Sequence, residues 1–169
     1  MPVRAVLVGL PGVGKSSVGT LLASRWAVPF ADSDELVVAA AGRSIPQLFS
    51  DEGESGFRVR EAAAILAALA DFDGVLALGG GAVTTAEVRH ALAAAGVPVV
   101  LLTASRQVLL ERIGRTDHRP LLAQDPASRL AELEAERAEL YRSVATCEVH
   151  TAGLTLAAVT EAVAARMAT

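Results

Sequence analysis

The sequence predicts an α/β fold in which a parallel sheet is covered by helices on both faces. Short apolar runs, typical of strands buried on both faces, alternate along the chain with longer segments of helical periodicity. Glycine-rich turns directly follow two of these runs, at residues 9–14 and 79–81. Because parallel strands need crossover connections, the alternation predicts a three-layer α/β/α arrangement, and we expect a single domain over residues 1–169.

The apolar runs predict five strands, at residues 3–8, 28–31, 75–78, 97–103 and 148–151. Apolar residues spaced by three or four predict helices at 15–26, 34–41, from Ser44 onward, 54–70, 86–95, from Ser105 to about 113, 126–144 and 156–167. The charged segment 114–125 is predicted to be a mobile loop. Ligands of such folds bind beyond the carboxyl ends of the strands, so the residues that directly follow strands are the candidates for a site.

Composition restricts the class of protein. With 52% hydrophobic and 20% charged residues among 169, the chain can form a core without disulfides. The only cysteine, Cys147, favours a reducing cytosol and a packed side chain. The net charge of −4 and the lack of a basic tract make a nucleic-acid partner unexpected. No targeting segment and no apolar run of roughly 18 residues occur, so we expect a cytoplasmic protein without a membrane partner.

The turn after the first predicted strand is a phosphate-binding motif. Residues 9–16, Gly-Leu-Pro-Gly-Val-Gly-Lys-Ser, match the Walker A pattern in full, between a strand and a helix. Its glycines let backbone N–H groups converge on phosphate oxygens, and the following helix adds the positive end of its dipole. Lys15 can bridge the β- and γ-phosphates, and the Ser16 hydroxyl can bind Mg²⁺. The motif predicts a bound nucleoside triphosphate but does not name the phosphate acceptor.

Two carboxylates follow the second predicted strand. Asp32 and Asp34 could divide the work of phosphoryl transfer, one reaching Mg²⁺ through water and the other accepting a proton from the attacking hydroxyl. An ordinary helix N-cap at Ser33 or Asp34 explains the same residues. The spacing alone leaves both interpretations open.

Two predicted helices carry arginines on or beside their apolar faces. Arg58 lies three residues before Glu61, beside a face formed by Phe57 and Ile65. It could hold a substrate carboxylate, but a surface ion pair worth roughly 0.2–0.5 kcal/mol is the interpretation favoured by spacing alone. Arg137 falls within an apolar stripe, so it needs an anionic ligand, a carboxylate partner such as Glu134 or Glu61, or a route to solvent.

Further candidates are glycines and loop arginines. Gly79-Gly80-Gly81 directly follow a predicted strand, which favours the close approach of a ligand. Arg112, Arg115 and Arg119 bracket the charged loop, where closure could bring an arginine to the transferred group, although charged loops are commonly only solvated. The three histidines show no metal-ligand spacing.

Taken together, these motifs resemble the shikimate kinase family, which is a branch of the nucleoside-monophosphate-kinase-like P-loop proteins. The resemblance extends from residue 3 to about residue 150. It is carried by residues 9–16, Asp32-Ser33-Asp34, Gly42-Arg43-Ser44-Ile45 with Phe49, residues 53–61 (Gly-Glu-Ser-Gly-Phe-Arg-Val-Arg-Glu), residues 79–83 (Gly-Gly-Gly-Ala-Val), Arg119-Pro120-Leu121-Leu122, and residues 137–141 (Arg-Ala-Glu-Leu-Tyr).

The resemblance implies a P-loop kinase fold with sheet order 2-3-1-4-5, a substrate-binding region at about 32–61 and a lid at about 113–125. It implies ATP-dependent phosphorylation of the shikimate 3-hydroxyl, with Mg²⁺ as cofactor, and a monomer. The implied catalytic residues are Lys15, Asp34 and Arg119. Those implied for ATP are Gly12, Val13, Gly14, Lys15, Ser16, Ser17, Arg112, Arg119 and Pro120, with Ser16 on Mg²⁺ and Asp32 reaching it through water. Those implied for shikimate are Asp34, Arg58, Gly79, Gly80, Gly81 and Arg137.

Two departures from the family pattern occur. Ser17 stands where Thr is common, which keeps a hydroxyl. After His150, residues 151–154 (Thr-Ala-Gly-Leu) supply no basic residue to lie over the adenine. Two alternatives are weighed beside this family. The paired arginines and the triple glycine argue against a related small-molecule kinase of the gluconate type. A non-catalytic nucleotide sensor predicts loss of Lys15, Asp34 or Arg119, and all three are present.

Overall fold

A computed structural model describes residues 3–114 and 125–168 of the chain. Its strands are β1 (Ala5–Val8), β2 (Phe30–Asp32), β3 (Val75–Ala77), β4 (Val99–Thr103) and β5 (Cys147–His150). Its α-helices are α1 (Lys15–Trp26), α2 (Ser33–Ala41), α3 (Ile45–Asp71), α4 (Ala86–Ala95), α5 (Arg106–Ile113), α6 (Pro126–Val144) and α7 (Leu156–Met167). A short 3₁₀ helix covers Ala82–Thr84.

The strands form one parallel sheet in the order β2-β3-β1-β4-β5, which confirms the predicted fold class and strand order. The central strand β1 pairs Val6 with Leu76 of β3 on one side and with Val99 of β4 on the other. Alternate residues of a strand point to opposite faces, and Val6 and Leu7 accordingly belong to two different apolar clusters. The sheet therefore has a packed core on each face and leaves only its ends for a ligand.

Several element boundaries differ from the predicted ones. β1 and β4 each begin two residues later than expected, and β5 lies one residue earlier. The larger difference is β2, which covers Phe30–Asp32 rather than 28–31, so Asp32 is the last strand residue instead of following the strand. The 3₁₀ helix after the triple glycine was not predicted. Within the described residues, no helix is long and apolar enough to cross a membrane.

Helix caps explain where several of these elements start. Ser44 begins α3 with a capping box, in which its side chain and that of Gln47 each accept a backbone N–H of the other residue. Ser105 caps α5, as predicted. The cap of α2 is Asp32, so the alternative of a cap at Ser33 or Asp34, which the sequence left open, named the wrong residue. Asp32 caps this helix from the end of the strand, because its extended backbone turns directly into the helix.

Candidate active site

The principal cavity lies at the carboxyl edge of the sheet, where the candidate residues were expected. Its volume is about 760 Å³. It is lined by Pro11 to Val18, Asp32, Asp34, Ile45, Pro46, Phe49, Phe57, Arg58, Glu61, Leu78 to Gly81, Arg112, Leu133, Arg137, Thr151, Leu154, Leu156 and Val159. The structure therefore brings every predicted site residue that it describes to one cavity. Arg119 and Pro120, and residues 115–124 of the predicted lid, lie outside the described residues.

One end of the cavity is the loop between β1 and α1. The Lys15 ammonium donates to the carbonyl oxygens of Gly9 (2.7 Å) and Leu10 (3.2 Å), so the side chain folds back over the loop. Gly14, the N-cap of α1, has φ of 100°, and Gly12 has φ of 83°. A Cβ at Gly12 would also lie 2.9 Å from the side chain of Ile113. The loop thus needs these glycines for its backbone conformation and presents N–H groups and one ammonium to an anion.

A hydroxyl and a carboxylate meet beside this loop. Ser16 Oγ donates to Asp32 Oδ2 at 2.9 Å, and Asp32 Oδ1 accepts the backbone N–H of Asp34 at 2.9 Å. Asp32 is therefore both the cap of α2 and the partner of the loop serine, so capping a helix does not keep this carboxylate away from the phosphate loop. Paired oxygen donors of this kind suit Mg²⁺, which binds proteins through one or two oxygens and keeps the rest for phosphates and water.

The sequence indicated Ser33 only as a possible helix cap and as part of the Asp32-Ser33-Asp34 motif, not as a buried hydroxyl. This side chain is fully buried, and its Oγ accepts the backbone N–H of Gly79 at 2.8 Å. The bond joins the end of β2 to the triple glycine after β3. It therefore sets how Asp34, the next residue, lies relative to those glycines. Its position between two aspartates after a strand was the available signal.

At the other end of the cavity, Arg58 forms an ion pair with the buried carboxylate of Glu61. Arg58 Nη1 donates to Glu61 Oε2 at 2.6 Å, and the Glu61 side chain is only 1% exposed. The interpretation of these residues as a surface pair was wrong, because this face of α3 packs against the cavity instead of solvent. Burial raises the pKa of Glu61, although the nearby Arg58 charge opposes the rise. Arg58 Nε and Glu61 Oε1 make no hydrogen bond to any described residue.

Gly79 gives room to two carboxylates. A Cβ at Gly79 would lie 2.7 Å from Asp34 Oδ1 and 2.7 Å from Glu61 Oε1, so both side chains approach the glycine backbone. The negative charge of Asp34 is one of the factors that raise the Glu61 pKa. Asp34 thus lies at the cavity surface, between the phosphate loop and the buried Arg58–Glu61 pair.

The next two glycines give room to two arginines. A Cβ at Gly81 would overlap the guanidinium of Arg58, and one at Gly80 would lie 3.3 Å from Arg137 Nη1. Charged side chains of the chain itself approach the three glycines closely, and the predicted approach of a ligand stays a prediction. The triple glycine therefore allows two guanidinium groups and two carboxylates to converge.

Arg137 is buried, and within the described part of the chain it has no carboxylate partner. Only 3% of the residue is exposed, it lies on α6 with the buried Leu133 and Tyr141, and its Nε has no hydrogen bond to a described residue. Among the described residues no carboxylate lies within ion-pair distance of it, so of the three possibilities left open by the sequence, the pairing with Glu134 or Glu61 does not occur. Glu61 and Tyr141 lie near enough to interact with its charge, but neither forms an ion pair with it. A buried guanidinium of this kind favours an anionic ligand, because burying a charge is costly unless it is paired.

Tyr141 supports the same end of the cavity, although the sequence indicated it only as the last residue of the motif at 137–141. Its hydroxyl donates to the carbonyl oxygen of Gly80 at 2.5 Å. Burial raises its pKa to about 12, so it remains a neutral donor. Since Tyr141 lies one helical turn after Arg137, α6 holds the triple glycine and presents the arginine beside it.

Arg112 lies at the outer side of the phosphate loop. Its Nη1 donates to the carbonyl oxygen of Val13 (3.1 Å) and to Thr151 Oγ1 (3.2 Å). The half-exposed Leu154 and Leu156 line the cavity beyond it. This part of the cavity is therefore mainly apolar, with one guanidinium held by the loop.

Comparisons with known proteins connect this cavity to one family of kinases. The family model described as shikimate kinase matches residues 11–168. A shikimate kinase of Streptomyces coelicolor is 48% identical over 157 residues, which cover 93% of this chain and 91% of the relative. The structure of a shikimate kinase from Acinetobacter baumannii in complex with shikimate has a TM-score of 0.93 and 34% identity, covering 99% of this chain and 93% of that one.

A structure described as a gluconokinase, from Sinorhizobium meliloti, is also similar, with a TM-score of 0.70 and 27% identity over 99% of this chain and 92% of that one. It shares the fold, whereas the family model and the Streptomyces relative agree on one family of kinases. The chain belongs to the shikimate kinase family.

Proposed function

We propose that this cavity phosphorylates the 3-hydroxyl of shikimate with ATP, giving shikimate 3-phosphate and ADP, and that it does so with the residues described below. The observation that carries the proposal is the convergence of two arginines and two carboxylates on the triple glycine, beside a complete phosphate loop. The family accounts for the reaction, and the roles of individual residues are our inference from their positions.

The acceptor would bind at the triple glycine. Its carboxylate would accept hydrogen bonds from Arg58 and Arg137, whose guanidinium groups lie beside Gly81 and Gly80. Fork-shaped guanidinium groups suit a carboxylate, and a bound anion would compensate the desolvation of Arg137. The ring hydroxyls would face Asp34. Glu61 would hold Arg58 in place, because it keeps that guanidinium in a hydrogen bond of 2.6 Å.

ATP would bind through its phosphates at the loop of residues 12–17. Backbone N–H groups and Lys15 would hold the β- and γ-phosphates, and Ser16 with Asp32, through water, would hold Mg²⁺. When bound, the ion would offset negative charge on the phosphates. Arg112 would lie near the adenine, with Leu154 and Leu156 as apolar neighbours. The roles proposed for Arg119 and Pro120 rest on the sequence motif alone.

Catalysis would depend mainly on positioning. Phosphoryl transfer needs little covalent chemistry from the protein, so an acceptor hydroxyl aligned with the γ-phosphate and charge compensation supply most of the acceleration. Asp34 would orient the 3-hydroxyl and accept its proton as the new P–O bond forms. We propose further that the chain acts in the cytoplasm as a monomer, without a nucleic-acid or membrane partner.

The first test measures ADP release with Mg-ATP, with and without shikimate, for the wild type and for Arg137→Ala. We expect shikimate-dependent turnover in the wild type. In the variant, the KM for shikimate should rise by about 30-fold or more, because the substrate carboxylate loses its buried arginine partner. Arg129→Ala is the matched control, because Arg129 lies on the same helix but pairs with Glu132 at the surface. Turnover with another hydroxy acid instead of shikimate would contradict the acceptor, and silence with every acceptor would favour a sensor.

A further inference from the structure

Helix α3 is broken at one residue, and both of its halves line the cavity. Gly53 has φ of 70° and ψ of −179°, a conformation outside the helical region, so α3 has a kink at this residue. Ile45, Pro46 and Phe49 line the cavity from the first half, and Phe57, Arg58 and Glu61 line it from the second. We call the part of the cavity at Arg58, Glu61 and the triple glycine the acceptor end. The angle at Gly53 therefore sets the width of the acceptor end.

The outer side of the break is bridged by charged side chains. Glu52, the residue before Gly53, accepts hydrogen bonds from Arg60 Nε (2.8 Å), Arg60 Nη2 (2.7 Å) and Arg43 Nη2 (2.6 Å). Arg43 also reaches Asp51 at 2.9 Å. We call Arg43, Glu52 and Arg60 the Glu52 clamp. It joins the turn before α3 and the two halves of the helix through one carboxylate.

Gly56 makes the Glu52 clamp sterically possible. A Cβ at this position would lie 2.5 Å from the Cβ of Glu52, which is closer than real side chains approach. Glycine inside a helix weakens it, so its presence in the second half of α3 calls for a packing reason. Here the reason is that the Glu52 side chain packs against the backbone of Gly56 where it forms its hydrogen bonds with Arg60.

The inner side of the same break is held by aromatic packing. Phe49 and Phe57 stack at 4.7 Å between ring centroids, one from each half of α3. Arg58 lies over the Phe57 ring at 5.3 Å from its centroid. Arg60, two residues further on, faces the opposite side of the helix and does not line the cavity. The aromatic stack on one side and the Glu52 clamp on the other therefore fix the same angle.

We infer that Glu52 and Arg60 are positioning residues for the acceptor: by bridging the break in α3, they hold Arg58 and Glu61 at the distance from Phe49 and the triple glycine that shikimate requires. The inference rests on the function proposed above for that end of the cavity. It assigns a role in substrate affinity to two side chains that do not touch the cavity.

The three side chains of the Glu52 clamp are all charged near neutral pH. Its two arginines lower the pKa of Glu52 to about 2, so the carboxylate remains ionised near neutrality. All three side chains are partly exposed, with 27% exposure for Glu52. Salt in solution should therefore weaken the clamp more than it weakens the buried Arg58–Glu61 pair.

The test compares steady-state kinetics of the wild type, Glu52→Ala, Arg60→Ala and the double variant. We expect each to raise the KM for shikimate by about three- to tenfold, from the loss of charge-assisted hydrogen bonds, with the KM for ATP unchanged. The double variant should add little to either single change, because both remove the same interaction. Arg60→Lys should restore part of the affinity, and Gly56→Ala should imitate Glu52→Ala by displacing Glu52.

Asp73→Ala is the matched control. Asp73 pairs with Arg4 at 2.6 Å near the amino ends of the strands, on the side of the sheet away from the cavity. This variant loses an exposed ion pair too, and both KM values should stay at the wild-type level. Thermal unfolding of every variant shows whether a change in affinity follows a general loss of stability.

An unchanged KM for shikimate in both alanine variants would overturn the inference. So would equal rises in the KM for ATP and for shikimate, accompanied by a lower melting temperature, since these indicate general loosening of the fold. A wild type without shikimate-dependent turnover would instead contradict the proposed function. In that case the same comparison is made with the acceptor that the wild type does use.

Discussion

The two ends of the cavity satisfy their charged groups in opposite ways. At the phosphate end, Lys15 donates to two carbonyl oxygens of its own loop, and Ser16 donates to Asp32. At the acceptor end, Glu61 and Arg137 are buried and Arg58 is largely so, and each keeps a polar atom without a hydrogen bond to a described residue. The first end is complete within the fold, whereas the second carries desolvated charge that a ligand would compensate.

The difference follows from how each end is assembled. The phosphate loop is one contiguous segment whose groups are mostly backbone, so it recognises a phosphate in any molecule that carries one. The acceptor end joins side chains from α2, α3 and α6 around one turn after β3, and their charges suit only a ligand with matching groups. On the function proposed above, selectivity for the acceptor is obtained at a cost in folding stability, because buried charges lose hydration.

The largest effect that separates the two ends is expected from Lys15→Met. Loss of the ammonium should lower kcat by about 10²–10³-fold, because a preorganised donor to the transferred phosphate is removed. Shikimate affinity, measured by titration calorimetry without nucleotide, should stay within about twofold, since the acceptor end is built from other elements. A large loss of shikimate affinity would show that the two ends are not independent.

Lys15 is also open to a direct chemical test, because it is the only lysine in the chain. An amine-reactive label can therefore modify one side chain and the amino terminus, and peptide mass spectrometry distinguishes the two. Mg-ATP should slow labelling of Lys15, and shikimate alone should leave its rate unchanged.

An intermediate effect is expected in the pH dependence of stability. Burial raises the folded-state pKa of Glu61 above its ordinary value of 4.5. Between the two pKa values the folded protein binds more protons than the unfolded chain, so stability from this group falls as pH rises through the folded pKa. The slope can reach about 1.4 kcal/mol per pH unit. Glu61→Gln should remove this fall, as measured by urea unfolding from pH 4.5 upward.

Glu52 supplies the control for that experiment on the same helix. Its pKa is lowered to about 2, so its contribution to stability is present above 4.5 and is lost only as pH falls toward 2. Glu52→Ala should therefore leave the slope above pH 4.5 as in the wild type. If Glu61→Gln and the wild type give parallel profiles, the buried carboxylate does not carry the desolvation penalty assigned to it.

Sequence patterns could predict the two ends to different degrees, for the same physical reason. The phosphate loop is local, so eight consecutive residues predict its conformation and its ligand. The burial of the Arg58–Glu61 pair depends on what packs against α3, and spacing alone favoured a surface pair. The roles of Ser33 and Tyr141 likewise depend on contacts with Gly79 and Gly80, which lie 46 and 61 residues away. The resemblance to a known family supplied the acceptor, which no local pattern determined.

The smallest effect is expected from Thr151→Val at the phosphate end. Thr151 is 2% exposed and its hydroxyl accepts a hydrogen bond from Arg112, which in turn donates to the carbonyl oxygen of Val13. Valine keeps the shape and removes the acceptor, so the KM for ATP should rise about two- to tenfold, as for one hydrogen bond, with the KM for shikimate unchanged.

Thr160→Val is the matched control for this change, because Thr160 is equally buried and its hydroxyl donates within α7 to the carbonyl oxygen of Leu156. It tests whether any buried hydroxyl in this part of the chain affects nucleotide binding. A rise in the KM for ATP in Thr151→Val alone would show that the bond between Thr151 and Arg112 stabilises the phosphate loop from its outer side. Equal rises in both variants would attribute the effect to α7 packing. A matching rise in the KM for shikimate would show that the two ends of the cavity do not act independently.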